Sequence, residues 1–414
     1  MINKRSLCFI FILALAVRLA FVLFFPSLYA PDTGSYEVIA QSLIKGDGFS
    51  SPPGVPSVTR APVYPLFLAG VYFLFGPSHI AVKLIQALLG AIGCIIICSI
   101  GREIFNRKVG LWSGVAMALY PPLISTAGFI LSEELNIFLL AISILFLTRA
   151  IKKHQVGWYT LSGIFMGLAT LCRSATLLFP FFLYFTLLFS PFKKREFIYL
   201  SVFLLSMIAM VAPWTIRNYV RFNTFIPTEI QGGRNLWVGS YFPSDGILPY
   251  STTSAQEYKT PEDKEAYNKV GRGLSPIEAD RAYSREAIKN ILNNSSGYLQ
   301  LCLEKFERFW FWIPGGVEVL HPYPKIKWGV TIVYYLVLLS AGLGLWVGLR
   351  TNWRDKLPLL SIILYFTIMH ILLFAIPRYR LPIMPYVLIF AVVGFLQLLD
   401  RRMKILLQSQ KGVV

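Results

Sequence analysis

Asp32, in the stretch "APDTGSYEVIA", is a carboxylate that follows about twenty apolar, almost uncharged residues. A carboxylate in that place stays ionised at neutral pH unless buried, and it can take a proton from an attacking hydroxyl. The same position suits an N-cap for the helical stripe that follows, so the sequence leaves both roles open. Glu133 and Glu134 in "LSEELN" pose the same choice. Acids in a first helical turn complement the helix dipole, while paired carboxylates orient an acceptor or tune Asp32. Arginines join them: Arg60 ahead of a short apolar helix, Arg173 inside "LATLCRSATLLFP", and Arg378 and Arg380 in "IPRYRLP". An isolated arginine at a membrane edge snorkels, but several together offer planar, charge-assisted donors to phosphate. The set suits a reaction on a lipid-borne phosphate sugar, in which arginines hold the departing phosphate and Asp32 deprotonates the attacking hydroxyl. Arg18, inside the first apolar run, either snorkels or pairs within the bundle.

The elements that must position these residues are membrane helices. The chain has 414 residues, 55% hydrophobic and only 14% charged, with the apolar residues in long runs. It reads as an all-α polytopic membrane protein of about ten spans. These fall near 6–25, 80–101, 110–127, 134–150, 157–172, 175–191, 197–213, 328–349, 357–376 and 381–398. The loops "GREIFNRK", "TRAIKK", "PFKKRE" and "LRTNWRDK", with the tail "DRRMK", share a side with the N-terminal "NKR". The positive-inside rule makes that side, and both termini, cytoplasmic. The net charge of +18 is therefore the charge of membrane loops and implies no nucleic-acid partner. Asp32, Arg60, Glu133, Glu134, Arg173, Arg378 and Arg380 all reach the opposite face, although they played no part in choosing the topology.

Three regions follow: an N-terminal transmembrane module, 1–213, with a first outer loop at 26–79; an extracytoplasmic region, 214–327; and C-terminal helices with a tail, 328–414. In the outer loop, "SYEVIAQSLIKG" places Tyr36, Ile39, Ala40, Leu43 and Ile44 on one stripe, and "PVYPLFLAGVYFLFG" is apolar but short. Both suit helices lying in the membrane interface, holding Asp32 over a cavity. Residues 243–273 are polar and read as a loop over the site, "SPIEAD" as a capping box, and "NNSS" as a turn between helices. Four scattered histidines make no metal cluster, and the five cysteines imply no disulfide framework. No cofactor is expected; a divalent ion bridging Asp32 and Glu133 is the one arrangement left for a metal. No nucleotide-phosphate loop is present.

The chain resembles the GT-C membrane glycosyltransferases, in the branch of protein O-mannosyltransferases, the lipid A aminoarabinose transferase and the RgtA/B/C/D-like enzymes. The resemblance rests on "PDTGSYEVIAQSLIKGDGFS", "TRAPVYPLFLAGVYFLFG", "LSEELNIFLL", "GLATLCRSATLLFP", "APWTIRNYVRFNTFIP", "GGRNLWVG" and "RYRLPIMPY", taken in order along the chain. It implies a polyprenyl-phosphate sugar as donor and transfer on the extracytoplasmic side of a bacterial inner membrane. By position it implies Asp32 as base, with Glu133 or Glu134 as the second acid. It also implies Arg60 and Tyr64 as phosphate-binding residues, with Arg173 and Arg378–Tyr379–Arg380 facing phosphate or substrate. Thr33 stands where protein mannosyltransferases carry glutamate, and their added luminal domain has no counterpart here. A lipid or glycolipid acceptor is therefore preferred to a protein. Two rival functions remain at this level: a lipid-linked-oligosaccharide flippase, and a polymerase or ligase using pyrophosphate-linked donors. Polar residues gathered at one rim, with no repeated halves, favour the transferase over the flippase.

Overall fold

A computed structural model describes residues 3–30, 32–188, 194–244, 261–312, 324–350 and 353–411. The described residues are almost entirely helical; the one β-type contact among them is an isolated bridge between Ser50 and Pro56. In chain order the α-helices are α1 (Lys4–Phe24), α2 (Thr33–Lys45), α3 (Val63–Phe75), α4 (His79–Ile104), α5 (Arg107–Leu119) and α6 (Pro121–Ser125). Next come α7 (Glu133–Lys153), α8 (Val156–Cys172), α9 (Phe179–Leu188), α10 (Lys194–Phe222), α11 (Gly232–Ser240) and α12 (Pro261–Gly271). The remainder are α13 (Pro276–Asn293), α14 (Ser295–Phe311), α15 (Pro324–Leu349), α16 (Leu357–Leu372) and α17 (Met384–Lys411).

Seven of the described helical segments are long and apolar enough to cross a membrane: α1, α4, α7, most of α10, most of α15, Trp353–Leu372 and Pro377–Asp400. Shorter apolar helices add Val63–Phe75, Val156–Cys172 and Ser174–Thr186. The protein is a multi-pass membrane protein. The boundary sought within 157–191 falls at Arg173, between α8 and a one-turn 3-10 helix, Ser174–Thr176.

Three expectations are revised. The span expected at 110–127 is broken: α5 stops at Leu119, and Pro121 and Pro122 open a separate short helix, because proline cannot continue the hydrogen-bond ladder of the preceding turn. Helix α10 runs past 213 to Phe222, through Pro213. Arg217, in that extension, donates to the carbonyl oxygens of Ser57 at 2.8 Å and Phe49 at 3.1 Å, tying the helix to the first outer loop. Finally, residues 261–271 of the expected loop form helix α12; residues 245–260 lie outside the described residues.

Other local readings are found as expected. Ser275 and Glu278 close a capping box with Pro276 in the first turn of α13. Asn294 is the turn between α13 and α14. On α2 the expected stripe is buried at Tyr36, Ile39 and Ala40, but Ile44, which was expected to share it, is exposed.

The core runs through α1, α4, α5, α7, α8, α10, α16 and α17. Helices α15 and α17 cross at contact distance: a Cβ on Gly344 would collide with the Phe390 carbonyl oxygen, and one on Gly394 with that of Ser340. Small residues at such crossings replace the hydrophobic drive that lipid removes. Between α7 and α8, Ser143 and Ser162 each donate to the other's carbonyl oxygen, at 2.8 and 2.9 Å. Asn136 donates to the Ala169 carbonyl oxygen at 2.9 Å. The serine pair joins the two helices at mid-length and the asparagine bond joins them near the ends that carry Glu133 and Arg173.

Candidate active site

Asp32 stands at the N-terminus of α2 but does not cap it. Its backbone is already helical and its side chain makes no capping hydrogen bond. The carboxylate turns to two arginines instead. Arg60 Nη2 donates to Oδ1 at 2.9 Å, and Arg378 Nη2 donates to Oδ2 at 2.8 Å. Arg60 is set in turn by Ser35, whose Oγ accepts from its Nε at 2.9 Å, and by Tyr36, whose ring lies 4.7 Å beneath the guanidinium. Helix α2 thus presents Asp32, Ser35 and Tyr36 together to the arginine that precedes α3.

Glu133 opens α7 and continues the row. Its Oε1 accepts from Arg173 Nη1 at 2.8 Å and lies 3.1 Å from Arg378 Nε. The sequence of charges is Arg60, Asp32, Arg378, Glu133, Arg173, alternating in sign and drawn from five separate parts of the chain. Arg173 also lies over the Tyr379 ring, 4.9 Å from its centre. The Glu133 side chain is 3% exposed, against 15% for Asp32, 16% for Arg60 and 20% for Arg378. Glu133 is therefore the closed point of the row, which reaches solvent around Asp32 and again at Arg173, 18% exposed. Glu133 Oε2 is buried and has no hydrogen-bond partner.

Burial alone would raise the Asp32 pKa, but the charges of Arg378 and Arg60 outweigh it and hold the carboxyl well below the usual carboxylate range. Burial would likewise strip the proton from Arg60, and Tyr36, Asp32 and Glu229 oppose it and keep the guanidinium charged.

Glu229 is a third acid beside the row, and sequence reasoning passed over it. Its Oε1 accepts from Ser174 Oγ at 2.7 Å and its Oε2 from the Ala61 backbone at 3.1 Å. It joins the residue after Arg173 to the residue after Arg60. Its only signal was position, a lone acid in "PTEIQ" between the stretches ending in "FIP" and beginning with "GGRN". Tyr36 was placed on a buried stripe, but nothing in the stripe announced a partner for Arg60; Ser35 carried no signal.

The other expected site residues point elsewhere. Glu134 is directed into the bundle, where it accepts from Thr126 Oγ1 and lies beside Arg18 at the open face of Gly90. Arg18 is fully buried and reaches the Leu123 carbonyl oxygen at 3.4 Å, so it pairs inside the bundle and does not snorkel. Tyr64 is fully buried, its hydroxyl donating to Gln86 Oε1 at 2.8 Å, and it supports the Tyr36 ring edge-on at 4.9 Å. Arg380 is 1% exposed and donates to the carbonyl oxygens of Phe309 and Trp312, away from the row. Tyr379 meets the row through its ring, which packs against Arg173, lies 6.0 Å from the Arg378 guanidinium and, at 4.9 Å, packs against His370. The bridge between Asp32 and Glu133, where a divalent ion was the alternative, is made by Arg378. Among the described residues no group of three metal-ligating side chains gathers.

Such a row can bind a phosphate through redirected guanidinium groups while leaving a carboxylate at a solvent-reaching edge. Solved structures define the class of fold that carries it. The chain is similar to the oligosaccharyltransferase AglB from Archaeoglobus fulgidus in complex with an inhibitory peptide and a dolichol-phosphate. That match has a TM-score of 0.57 at 14% identity, over 99% of this chain and 51% of AglB. The apo form of the same enzyme gives 0.59 at 12% identity, over 99% and 52%. This is the GT-C fold of membrane glycosyltransferases, in a chain spanning about half the length of AglB. A looser likeness is to ArnT from Cupriavidus metallidurans bound to undecaprenyl phosphate, with a TM-score of 0.45 at 15% identity, over 92% of this chain and 77% of ArnT. In sequence, residues 59–216 match the family described as dolichyl-phosphate-mannose-protein mannosyltransferase. That stretch, well under half of the chain, begins one residue before Arg60 and contains Glu133 and Arg173. No curated protein matches in sequence.

Proposed function

We propose that the protein is a glycosyltransferase of the extracytoplasmic face of a bacterial inner membrane, with both termini cytoplasmic. It moves one sugar from a polyprenyl monophosphate to a hydroxyl of an envelope lipid or glycolipid. The observation that carries this reading is the clasp on Asp32, each carboxylate oxygen held by a different arginine at the solvent-reaching end of a charged row. The dolichol-phosphate in the AglB complex and the dolichyl-phosphate-mannose for which the matching family is named support the donor class.

The acceptor oxygen attacks the anomeric carbon as the bond from that carbon to the phosphate oxygen breaks, with inversion. The acceptor proton passes to Asp32 and the bonding pair leaves on polyprenyl monophosphate. Without donor, Asp32 is a weak base, because two arginines stabilise its ionised form. An arriving phosphate competes for Arg60 and Arg378. As those guanidinium groups turn to it, the carboxylate loses the charges that depressed its pKa and becomes a better proton acceptor. One exchange of partners thus readies the leaving group and the base together. Glu133, the most buried member of the row and itself held by Arg173, keeps Arg378 within reach of both positions.

The test is purified protein in liposomes of host lipid extract, with mass spectrometry following free polyprenyl monophosphate and any lipid that gains one sugar. Wild type should form both products, and Asp32→Asn should lose about a hundred- to ten-thousandfold in turnover. Near wild-type turnover by Asp32→Asn defeats the assignment of Asp32. Release of polyprenyl diphosphate moves the protein to the pyrophosphate-linked class. Lipid transport without covalent product makes it a flippase.

A further inference from the structure

Among the buried cations that take no part in that chemistry, Lys305 and Arg380 together make one device. Lys305, fully buried on α14, donates to the Gly239 carbonyl oxygen at 2.9 Å. Its ammonium also lies 3.4 and 3.5 Å from the carbonyl oxygens of Leu373 and Leu372, where α16 ends. Tyr298, on the same face of α14, adds its hydroxyl to the Leu372 carbonyl. Arg380 returns the arrangement from the turn after α16, donating to the carbonyl oxygens of Phe309 and Trp312 where α14 ends. Its guanidinium lies over the Tyr334 ring at 4.4 Å. The last carbonyls of a helix lack intrahelical partners and carry the negative end of its dipole, so a cation there serves as donor and counter-charge. Here each helix end receives its cation from the other helix or the turn beyond it. The contact needs glycine at 239, where a Cβ would collide with the Leu373 carbonyl oxygen.

Between the two caps runs the segment 373–380, which contains Arg378. The turn Pro377–Ile383 is a 3-10 helix, a form whose hydrogen-bond geometry is poor and which gives little rigidity of its own. We propose that Lys305 and Arg380 are positioning residues, which by reciprocal capping of α14 and α16 hold this turn where Arg378 reaches Asp32 and Glu133. The activity readout rests on the transferase reading above.

Protonation of Lys305 is part of the device. Burial lowers its pKa from 10.5 to about 8, with Cys302 opposing the shift and Arg308 adding to it. The Tyr298 ring, 4.7 Å away, is the remaining titratable neighbour on α14, while α11 and α16 face it with carbonyl oxygens. Below pH 8 the ammonium caps α16; above it the charge is lost and the cap weakens.

The experiment uses the full chain in liposomes of host lipid extract between pH 6.5 and 9.5. Wild-type kcat/KM should fall above pH 8 by roughly fivefold to thirtyfold, the range of a partly buried charge at a helix terminus. Lys305→Met should start at the lowered level and show no limb near pH 8. Lys305→Arg, which keeps its charge, should recover activity and carry it to higher pH. Hydrogen exchange of peptides covering 373–383 in wild type, corrected for the intrinsic rate, should lose protection through the same range. This measurement needs no variant to fold. Protection that does not change with pH overturns the proposal, as does a Lys305→Met profile superimposable on wild type. Loss of protection near pH 8 in a protein that turns over no donor upholds the device and refutes the transferase reading.

Discussion

Substituting Arg378 with methionine removes the charge shared by Asp32 and Glu133 and leaves most of the aliphatic stem. Asp32 keeps Arg60 and Glu133 keeps Arg173, so two negative charges face two positive ones, now with nothing between the carboxylates. Removing one partner of a fully buried pair costs about 3–5 kcal/mol. Arg378 and Asp32 are 20% and 15% exposed, so water screens part of that loss, and about 2–3 kcal/mol is the fitting expectation. Asp32→Asn takes from Arg60 its ion-pair partner and leaves Arg378 with Glu133 as its acid, at roughly 1–2 kcal/mol for two weakened charged hydrogen bonds. In the double variant the Arg378–Asp32 bond is counted once, not twice. The two losses should therefore fall short of additive by about 1–2 kcal/mol. The measurement is thermal unfolding of the four proteins in one detergent, where each kcal/mol moves Tm by about 2 °C or less in a chain of this size. Additivity within about 0.5 kcal/mol would refute the clasp.

Two more expectations follow from the same geometry. Asp32 has a depressed pKa when folded, so its contribution to stability is complete above the unfolded carboxylate range and is lost only as pH falls through the folded value. The Tm gap between wild type and Asp32→Asn should stay constant from pH 8 down to about 4.5 and narrow only below that; narrowing between pH 7 and 5 would contradict the depressed pKa. Tyr36→Phe keeps the ring under Arg60 and should stay near wild-type kcat/KM, while Tyr36→Leu should lose about two- to thirtyfold, the range of a cation–π contact at a partly buried site. Equal losses in the two variants would show that the hydroxyl matters and the ring does not.

Much of this site could be read from residue types alone, for a physical reason. The positive-inside rule leads one to expect few arginines on the face it reads as outer, so Arg60, Arg173 and Arg378 stood out in that reading, and the carboxylates of Asp32 and Glu133 stood beside them. The direction of neighbouring residues could not be read. Glu133 and Glu134 are adjacent on α7 and diverge by roughly 100° around its axis, which sends one to Arg173 and the other to Arg18. Arg378 and Arg380 sit two apart in a 3-10 turn, roughly 240° around, so one meets Asp32 and the other the end of α14. Periodicity gives the angle between such residues but not the phase, which is set by packing against elements far along the chain. The break of α5 was visible in Tyr120-Pro121-Pro122 but was outweighed by the apolar run around it. Glu229 had neither a charged neighbour nor a periodic pattern to mark it; its place is decided by Ser174 and Ala61, more than fifty positions away.

The link between Asp32 and Arg378 spans 346 positions. A ribosome inserting this chain into a membrane delivers the first carboxylate with the first helical hairpin and the arginine that completes its clasp only 346 residues later. Until then Asp32 has Arg60 alone, and Glu133 has Arg173 alone. Every shortened product that stops before Arg378 is born with an open row, however well its earlier spans are inserted. Closure of the row is thus tied to the insertion of one late-arriving turn and not to the folding of the helices that carry its first members.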